Sequence, residues 1–512
     1  MIRRLSYFTI LFLVTLSSCG TAPESAAPST VPEKDGPESA SEEERPEDAD
    51  PNTVSKSAES ATVDDELPAN HAQERVDSKA EDAAGATSEK SGRAEPDGNA
   101  AAGSAVATSA ELLPPREPSR QERIDRQVSR ILRSLSVEER LGQLIFPAIM
   151  KDRAGRSITA VTAEVRELIE RVQPGGLILF GPNFTTLEGT RALLDELQTL
   201  SEIPLVFAVD QEGGLVSRLT ESSQLPATRI PGAATVGAAG SEELARRLGE
   251  VIGAELRSLG IVMNLAPVAD VNTNPENPVI RDRAYGSDPE KVADIVAAVV
   301  EGIQSQGVAA VLKHFPGHGD TYDDTHLSSA TVYHDLERLR AVELVPFEAG
   351  IAAGARGVMS GHISVPEVLG SEEPATFSSE LLNELLREEL GFDGLLITDS
   401  LSMAALINYY SQEEIVYRAL EAGNDVLLRP LYAHRAYDAL LAGVASGRVS
   451  EEQVDESVRR ILRFKFEIGL LDLPAGDEAL FRRGSVGGNE IEVLGRPEHR
   501  ALVEEIVETA GP

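Results

Sequence analysis

The sequence predicts an α/β protein: a (β/α)8 barrel of the TIM type with enlarged loops, preceded by a disordered tether. After about residue 122, short apolar runs alternate with longer amphipathic segments. Each run is nearly continuous in apolar residues, as expected for parallel strands that are covered on both faces. Ionisable residues directly follow several of the runs. The eight candidate strands are residues 144–149, 176–180, 205–209, 261–268, 309–312, 357–360, 395–398 and 425–428.

Amphipathic segments between these runs have the periodicity of helices. Ser136 and Glu139 have the spacing of a capping box, which predicts that a helix starts there. Alternating strands and helices are typical of a barrel, although a doubly wound open sheet would produce the same pattern and remains the structural alternative. The candidate helices are residues 124–135, 242–259, 289–305, 378–390 and 452–466.

The first residues have the pattern of a secretory signal. Two arginines precede an apolar run at residues 5–16, and two serines then precede Cys19, which is the only cysteine of the chain. This arrangement resembles a bacterial lipoprotein processing site. Residues 1–19 are therefore interpreted as a lipoprotein-type signal with lipidation at Cys19, and an ordinary signal peptide is the alternative. A single cysteine also excludes an intrachain disulfide.

Composition divides the rest of the chain into three segments. Residues 20–120 are acidic, of low complexity and nearly free of large apolar residues, so we expect a disordered linker. Residues 122–472 form the predicted barrel, and residues 473–512 form a tail too short to be a domain. The net charge is −37, and such a negative field repels nucleic-acid phosphates, so nucleic-acid binding is not expected.

Functional residues of a barrel lie at the carboxyl ends of its strands, and the sequence has ionisable residues at these positions. Asp210 follows the third run, Lys313 and His314 the fifth, His362 the sixth and Asp399 the seventh. In a barrel these ends converge on one mouth. This convergence predicts an enzyme.

The segment after the fifth run, residues 311–330, is rich in histidine and glycine. A metal site is one interpretation, because the segment contains four side chains of ligand type, but proline and glycine between them disturb any regular ligand spacing. We therefore expect no metal. These four candidate ligands are His314, His318, Asp324 and His326.

The alternative interpretation is a mobile loop that closes over a substrate, with Gly317 and Gly319 as hinges. Asp324 and His326 are close enough for the carboxylate to orient the imidazole. Such a pair suits a general acid/base, although taken alone it would more often be a surface pair.

Three further segments carry polar groups at the same end of the predicted barrel. Asp399 is followed by Ser400 and Ser402, which could orient it, although an aspartate before a helix is also a common N-cap. The string DQEGG, residues 210–214, is followed by Arg218. A long loop rich in asparagine and proline ends near Arg283, and long irregular loops are usually functional.

Taken together, these strings resemble glycoside hydrolase family 3, in particular its bacterial β-N-acetylhexosaminidase branch. The resemblance covers residues 122–472. It rests on DQEGG with Arg218, APVADVN followed by NPVIRDRAYGSDP, KHFPGHGDTYDDTH, PATFS and ITDSLSM.

The resemblance implies roles by position, a (β/α)8 barrel and no cofactor. Asp399 matches the catalytic nucleophile, His326 the acid/base and Asp324 its partner. The groups that hold the terminal sugar match Asp210, Arg218, Arg283, Lys313 and His314.

The expected function is therefore that of a retaining exo-β-N-acetylglucosaminidase acting on cell-wall fragments or chitin-type oligosaccharides. A phosphorylase or a β-glucosidase of the same family, and a glycan-binding lipoprotein without catalysis, remain alternatives. The expected partners are a glycan and, through the lipid alone, a membrane outside the cytoplasm, in the periplasm or at the cell surface. A monomer is expected. The tail either ends a single-domain form or begins a second domain.

The lipid anchor can be tested with the Cys19→Ser variant. Because the serine cannot be lipidated, we expect the protein to move from the membrane fraction to the soluble fraction, as measured by fractionation and immunoblotting. A variant that stays with the membranes would contradict the anchor.

Overall fold

A closed barrel of eight parallel strands is the centre of the computed structural model, which describes residues 118–323, 330–475, 479–484 and 491–511. Six strands pair side by side from β2 to β7, and β8 pairs with β1. Bridges from Ala148 to Ile178 and from Ile397 to Val426 close the ring. The strands are β1 Ile145–Phe146, β2 Gly176–Leu179, β3 Val206–Val209, β4 Met263–Asn264, β5 Ala309–Phe315, β6 Gly357–Ser360, β7 Leu395–Thr398 and β8 Leu427–Leu428.

This closure confirms the predicted (β/α)8 fold and excludes the open doubly wound sheet. Backbone hydrogen bonds from Leu427 N–H to the Leu144 carbonyl and from Arg429 N–H to the Phe146 carbonyl join the last strand to the first. Strand β5 is longer than its apolar run, since it includes Lys313 and His314, and all seven of its residues are buried.

Helices cover the outside of the barrel. The predicted helices 242–259 and 289–305 have the predicted ends, and the capping box at Ser136 and Glu139 is formed in both directions. The segment predicted at 378–390 is a π-helix. Helices of seven or more residues are Arg120–Ser134, Val137–Gln143, Ala163–Val172, Leu187–Thr199, Ala233–Ala239, Glu242–Leu259, Pro289–Ser305, Val345–Ala352, Glu380–Glu389, Gln412–Glu421, Ala433–Ser446, Glu451–Glu467 and Pro497–Ala510.

Short strand pairs lie at the carboxyl end of the barrel and in the tail. A hairpin follows β3, a parallel pair links the loops after β5 and β6, and an antiparallel pair follows the last barrel helix. These pairs are Gln211–Gly213 with Val216–Ser217, Ala330–Thr331 with Ile363–Ser364, and Leu471–Asp472 with Arg482–Arg483.

The core has an inner and an outer layer because successive side chains of a strand point to opposite faces. On β2, Ile178 lines a cavity inside the barrel mouth, whereas Leu177 and Leu179 belong to the other apolar layer. Apolar residues on both faces of each strand explain why the runs in the sequence are continuous.

In the described residues, no helix is both long and apolar enough to cross a membrane. The proposed signal, Cys19 and residues 20–117 of the proposed tether lie outside these residues, so the predictions for them stay predictions. The predicted end of the tether at residue 120 is wrong, because Ser119 caps the helix Arg120–Ser134.

The described part of the tail packs on the barrel through apolar side chains such as Leu502 and Ile506, and through one buried carboxylate, that of Glu255. Its oxygens accept hydrogen bonds from Thr228 N–H at 3.0 Å, from the Thr228 hydroxyl at 2.6 Å and from Gly495 N–H at 2.8 Å. His499 Nδ1 lies 3.1 Å from Glu255 Oε1. This carboxylate therefore joins the barrel helix Glu242–Leu259 to the helix Pro497–Ala510.

Replacing Glu255 tests this connection. Glu255→Ala leaves buried N–H donors without acceptors, so we expect the free energy of unfolding to fall by about 2–4 kcal/mol in urea denaturation. The matched control is Glu250→Ala on the same helix, which removes a partly exposed pair with Arg246 and should cost less than about 1 kcal/mol. Equal losses in the two variants would contradict the connection.

Candidate active site

A cavity of about 140 Å³ opens at the carboxyl ends of the barrel strands. Apolar side chains of the barrel interior form its floor, and charged side chains surround it. Asp399 and the five predicted sugar-binding residues are in its wall. His362, which was also predicted at this mouth, lines a neighbouring cavity instead. The wall consists of Ile178, Phe180, Asp210, Glu212, Val216, Arg218, Leu265, Arg283, Lys313, His314, Met359, Asp399, Ser400, Met403, Leu428 and Arg429.

Asp399 directly follows β7 and faces this cavity. Its N–H donates to the carbonyl of Ser360 on β6, and its Oδ1 accepts the N–H of Ser400 at 2.6 Å. Burial alone would raise the pKa of Asp399. The nearby imidazoles of His362 and His314, together with the Ser400 N–H, lower it instead from 3.8 to about 2. Asp399 is thus a carboxylate that stays ionised in the wall of the cavity.

Two expectations about the neighbours of Asp399 need correction. Asp399 does not cap a helix, since the next helix is Ala404–Ile407 and its N-cap is Met403. The hydroxyls of Ser400 and Ser402 bond to each other at 3.0 Å, and the backbone N–H of Ser400 is what orients the carboxylate. The turn after β7 therefore supplies the donor through its main chain.

The opposite wall is a buried cluster of charges around Glu212. Arg283 donates from Nε and Nη2 to the two carboxylate oxygens of Glu212, at 2.8 and 2.9 Å. Lys313 Nζ lies 2.5 Å from Glu212 Oε1 and donates to Asp210 Oδ1 at 2.8 Å. One carboxylate thus joins the segments after β3 and β4 to strand β5.

Glu212 and Lys313 are each held in the charged form by their partners. Burial would raise the pKa of Glu212, but the adjacent cations Lys313 and Arg283 lower it well below its usual range. Burial would lower the pKa of Lys313, but Asp210 and Glu212 raise it. Mutual pairing offsets the cost of burying these charges.

Glu212 was missed in the sequence, where only Asp210 and Arg218 of this segment were singled out. The string DQEGG could have indicated it, because the turn formed by two glycines directs the preceding carboxylate toward the barrel mouth. Gly213 and Gly214 have φ values of 105° and 53°, which favour glycine. Gly214 N–H donates to the Ile230 carbonyl and ties this turn down.

His314 is oriented by a second buried carboxylate, that of Asp270. Asp270 Oδ2 lies 2.7 Å from His314 Nδ1, and Oδ1 accepts the N–H groups of His314 and His318 at 3.1 and 2.7 Å. Because Nδ1 donates to the carboxylate, Nε2 faces Arg283 Nη2 at 3.4 Å. Asp270 was also missed, although it stands in the string APVADVN.

The prediction that Gly317 and Gly319 act as hinges is wrong. A Cβ on Gly319 would lie 1.8 Å from the Val271 carbonyl oxygen, and one on Gly317 would lie 2.8 Å from the Glu343 side chain. Asn277 Nδ2 also donates to the His318 carbonyl at 2.8 Å. These glycines are needed for close packing, and they anchor the start of the segment after β5.

His318 is built into this anchored part. Its Nδ1 lies 2.6 Å from the Thr321 hydroxyl, and burial, with a further contribution from the charge of His314, lowers its pKa to about 4. Among residues 118–323 and the other described ranges, no group of three or more metal-ligand side chains occurs. Asp324 and His326 are outside those ranges.

Residues Asp324 and His326 lie in the segment 324–329, outside the described residues, and their predicted roles stay predictions. Both flanks are described. Ala330–Thr331 pairs in parallel with Ile363–Ser364, immediately after His362. His362 Nε2 donates to the Ser400 carbonyl at 3.0 Å. The first described residues after the segment, Ala330–Thr331, therefore lie near the turn that follows Asp399.

Two arginines flank the ring of Phe180 at the third side of the cavity. The guanidinium carbons of Arg218 and Arg429 lie 5.4 and 4.9 Å from the ring centroid. Arg218 donates to Glu221 at 2.7 Å and lies 4.0 Å from Asp210. Arg429, which directly follows β8, was missed in the sequence, although a charge directly after the eighth apolar run fits the pattern of the other strand ends.

The arrangement suits a small, polyhydroxylated ligand. Carboxylates and guanidinium groups with fixed positions can accept and donate hydrogen bonds around such a ligand, and the apolar floor excludes water. Asp399 is ionised and makes no ion pair among the described side chains. Its carboxylate would therefore be available to a ligand in the cavity.

Comparisons with known proteins identify the family of the chain. The family model of the Glycosyl hydrolase family 3 N terminal domain matches residues 136–464. Beta-hexosaminidase A of Pseudoalteromonas piscicida is 34% identical over 378 residues, which cover 68% of this chain and 61% of that protein. The chain thus spans about three fifths of the length of this relative.

Solved structures are similar as well. The glycoside hydrolase family 3 beta-N-acetylglucosaminidase from Paenibacillus sp. str. FPU-7 is 40% identical, with a TM-score of 0.66, covering 73% of this chain and 69% of that chain. The beta-glucoside phosphorylase BglX is 28% identical, with a TM-score of 0.64, covering 77% of this chain and 67% of that one.

The buried cluster can be tested through stability. Glu212→Gln leaves Arg283 and Lys313 with one carboxylate fewer, so we expect the free energy of unfolding to fall by about 3–5 kcal/mol at neutral pH. Because the folded pKa of Glu212 is lowered, its stabilisation is complete above pH 4.5, the ordinary value, and declines as the pH falls below it.

Urea denaturation at several pH values measures this difference. The control is Glu221→Gln, which removes a partner of Arg218 that is 41% exposed and should cost less than about 1 kcal/mol. A loss at Glu212 no larger than that at Glu221 would show that the cluster does not stabilise the site.

Proposed function

The chain belongs to glycosyl hydrolase family 3, and on that premise we propose that it is a retaining exo-β-N-acetylglucosaminidase. In this proposal Asp399 is the nucleophile, and His326 is the acid/base with Asp324 as its partner. The substrate is a glycan with a terminal β-linked N-acetylglucosamine.

The observation that carries the proposal is the state of Asp399. A nucleophilic carboxylate must be ionised and must face the anomeric carbon from below. Asp399 meets the first condition, since its pKa is lowered to about 2, and its position directly after β7, in the wall of the cavity, supports the second. The closed floor also supports exo action, because a chain could enter only by its end.

The cluster opposite Asp399 would hold the terminal sugar. Asp210 accepts from Lys313 on one side and keeps its other oxygen near Arg218, so it can accept sugar hydroxyls. Arg283 and Lys313 are donors at fixed positions, and His314 can accept through Nε2 because its Nδ1 donates to Asp270. Glu212 would act as a positioning residue, since both of its oxygens are committed to Arg283 and Lys313.

In the first step, Asp399 attacks the anomeric carbon and the glycosidic bond breaks, while His326 gives its proton to the leaving oxygen. In the second step, His326 takes a proton from water, and the water oxygen displaces Asp399 with restored β configuration. A histidine suits both steps because its unperturbed pKa is near neutral.

Phosphorolysis is the second candidate, because the structural neighbour BglX is named a beta-glucoside phosphorylase. Phosphate would then replace water in the second step. Product analysis with and without phosphate distinguishes the two reactions. An aryl β-glucoside tests the β-glucosidase alternative, and an inert protein that still binds N-acetylglucosamine would support the glycan-binding alternative.

We also propose that the enzyme acts outside the cytoplasm, tethered through the lipid on Cys19 and the linker at residues 20–120. The support for this is the sequence pattern alone. The tether would let the barrel sample glycans at a distance from the membrane.

An assay with aryl β-N-acetylglucosaminide tests the proposed function. We expect Asp399→Ala to lose turnover by at least about a thousandfold, because the covalent step is lost. We expect His326→Ala to lose about a hundredfold to ten-thousandfold, with partial rescue by azide, a nucleophile that needs no general base.

The control is His434→Ala, which removes an exposed histidine of the helix Ala433–Ser446 and should keep wild-type turnover. In pH profiles, Asp399 titrates too low to cause an acid limb above about pH 3, whereas activity should fall as the pH rises through the pKa of His326. Near-normal turnover in Asp399→Ala or in His326→Ala would refute the assignment.

A further inference from the structure

Arg429 is a charged residue of the active-site cavity to which the proposed function gives no role. It directly follows β8 and lines the cavity, and its guanidinium carbon lies 4.9 Å from the centroid of the Phe180 ring. Its φ is 46°, in the left-handed region that residues other than glycine seldom adopt. Residues held in such conformations are concentrated at functional sites, so the backbone itself indicates a function for Arg429.

The other cations of the cavity wall each have a carboxylate partner. These pairs are Arg283 with Glu212, Lys313 with Asp210, and Arg218 with Glu221. Arg429, by contrast, makes no ion pair and no side-chain hydrogen bond with any residue that the structure describes. A guanidinium stays charged in proteins and has five N–H donors. Because Arg429 is partly buried, acceptors supplied by a ligand would stabilise it.

A second guanidinium beside the same ring also has an unused donor. Arg218 packs on Phe180 with its guanidinium carbon 5.4 Å from the ring centroid, and its Nε is buried without a hydrogen-bond partner among the described residues. Two guanidinium groups thus flank one aromatic ring in one wall of the cavity. Such a wall can bind an oxyanion, because guanidinium groups donate paired, charge-assisted hydrogen bonds to its oxygens.

The order of the strands around the barrel indicates which edge of the terminal sugar this wall would face. From Asp399 after β7, one direction around the barrel leads to the buried cluster around Glu212, and the other leads through β8 and β2 to Arg429 and Phe180. N-acetylglucosamine has polar substituents on C2, C3 and C4 at one edge of its ring and a single one, at C6, on the other edge. The cluster around Glu212 offers more polar groups and matches the first edge. With the anomeric carbon at Asp399, Arg429 would therefore face C6.

The local charge of this wall outweighs the acidity of the whole chain. The net charge is −37, but at physiological ionic strength exposed charges farther away than about 8 Å are largely screened. Asp210, whose charge also acts on Arg429, is paired with Lys313. Asp399, which has no ion pair among the described side chains, would contact C1 rather than C6. An anion at C6 would therefore meet two guanidinium groups at close range.

We propose that Arg429, together with Arg218, binds a sulfate or phosphate ester at C6 of the terminal N-acetylglucosamine. Arg429 is then a specificity-determining residue, since it would contact the substituent and not the reacting atoms. A 6-hydroxyl can occupy the same place, but it leaves the charge of Arg429 without a partner. The proposal rests on the proposed function, because it places the anomeric carbon at Asp399.

The first experiment measures binding without turnover, by calorimetric titration of the full chain with N-acetylglucosamine, its 6-sulfate and its 6-phosphate. We expect at least one ester to bind about tenfold or more tightly than the unsubstituted sugar. Arg429→Gln should lower this preference about tenfold, and Arg429→Lys, which keeps the charge but loses the planar fork, should have an intermediate preference. A preference for only one ester would support the proposal and identify its oxyanion.

The matched control is Arg435→Gln. The guanidinium carbon of Arg435 also lies 4.9 Å from an aromatic ring, that of Tyr432, but this pair is outside the cavity. The control should therefore leave the preference for the esters unchanged. Equal or weaker binding of both esters by the wild type, or the same preference in Arg429→Gln as in the wild type, would overturn the proposal.

The second experiment compares kcat/KM for an aryl N-acetylglucosaminide and for its 6-sulfate and 6-phosphate. We expect Arg429→Gln to lower the ratio of the ester value to the parent value about tenfold, because the charge-assisted hydrogen bonds to the ester are lost. A wild type that prefers the esters in binding but cleaves no aryl glycoside would support this proposal and contradict the proposed function. Cleavage of the parent glycoside without any preference for the esters would overturn this proposal and support the proposed function.

Discussion

The site depends on one buried carboxylate shared by two cations. Glu212 receives both guanidinium donors of Arg283 and the ammonium of Lys313. These residues come from the segments after β3 and β4 and from β5 itself, so their contact fixes three strand ends relative to one another. Removing any partner would leave a buried charge uncompensated. The stability lost in this way is much larger than the net stability that the ion pair contributes.

This cluster also explains how an acidic protein can keep Asp399 ionised. The chain carries a net charge of −37, yet the wall of the cavity contains four cations, Arg218, Arg283, Lys313 and Arg429. The acidic members opposite Asp399 are already paired with these cations. Asp399 therefore faces histidines and a backbone N–H rather than other free carboxylates, and it stays charged.

Much of the fold and part of the site followed from local sequence pattern. Continuous apolar runs predicted the strands, because parallel strands are buried on both faces, and the polar residues after them, Asp210, Lys313, His314 and Asp399, do share one cavity. Ser136 and Glu139 predicted a helix start correctly because a capping box is a local contact.

The failures concern contacts between distant segments. Glu212 and Asp270 act through partners 71 and 44 residues away, which no local pattern indicates. Gly317 and Gly319 were interpreted as hinges because glycine permits motion. The sequence could not show that the Glu343 side chain and the Val271 carbonyl occupy the positions that a Cβ on Gly317 or on Gly319 would need.

The central claim is that Asp399 forms the covalent bond to the sugar. The most direct test is to react the enzyme with a 5-fluoro-N-acetylglucosaminyl fluoride, digest it, and map the labelled peptide by mass spectrometry. We expect the mass of one fluorinated sugar on Asp399, in the peptide that contains ITDSLSM. A label on another residue, or turnover without any trapped intermediate on Asp399, would contradict the account.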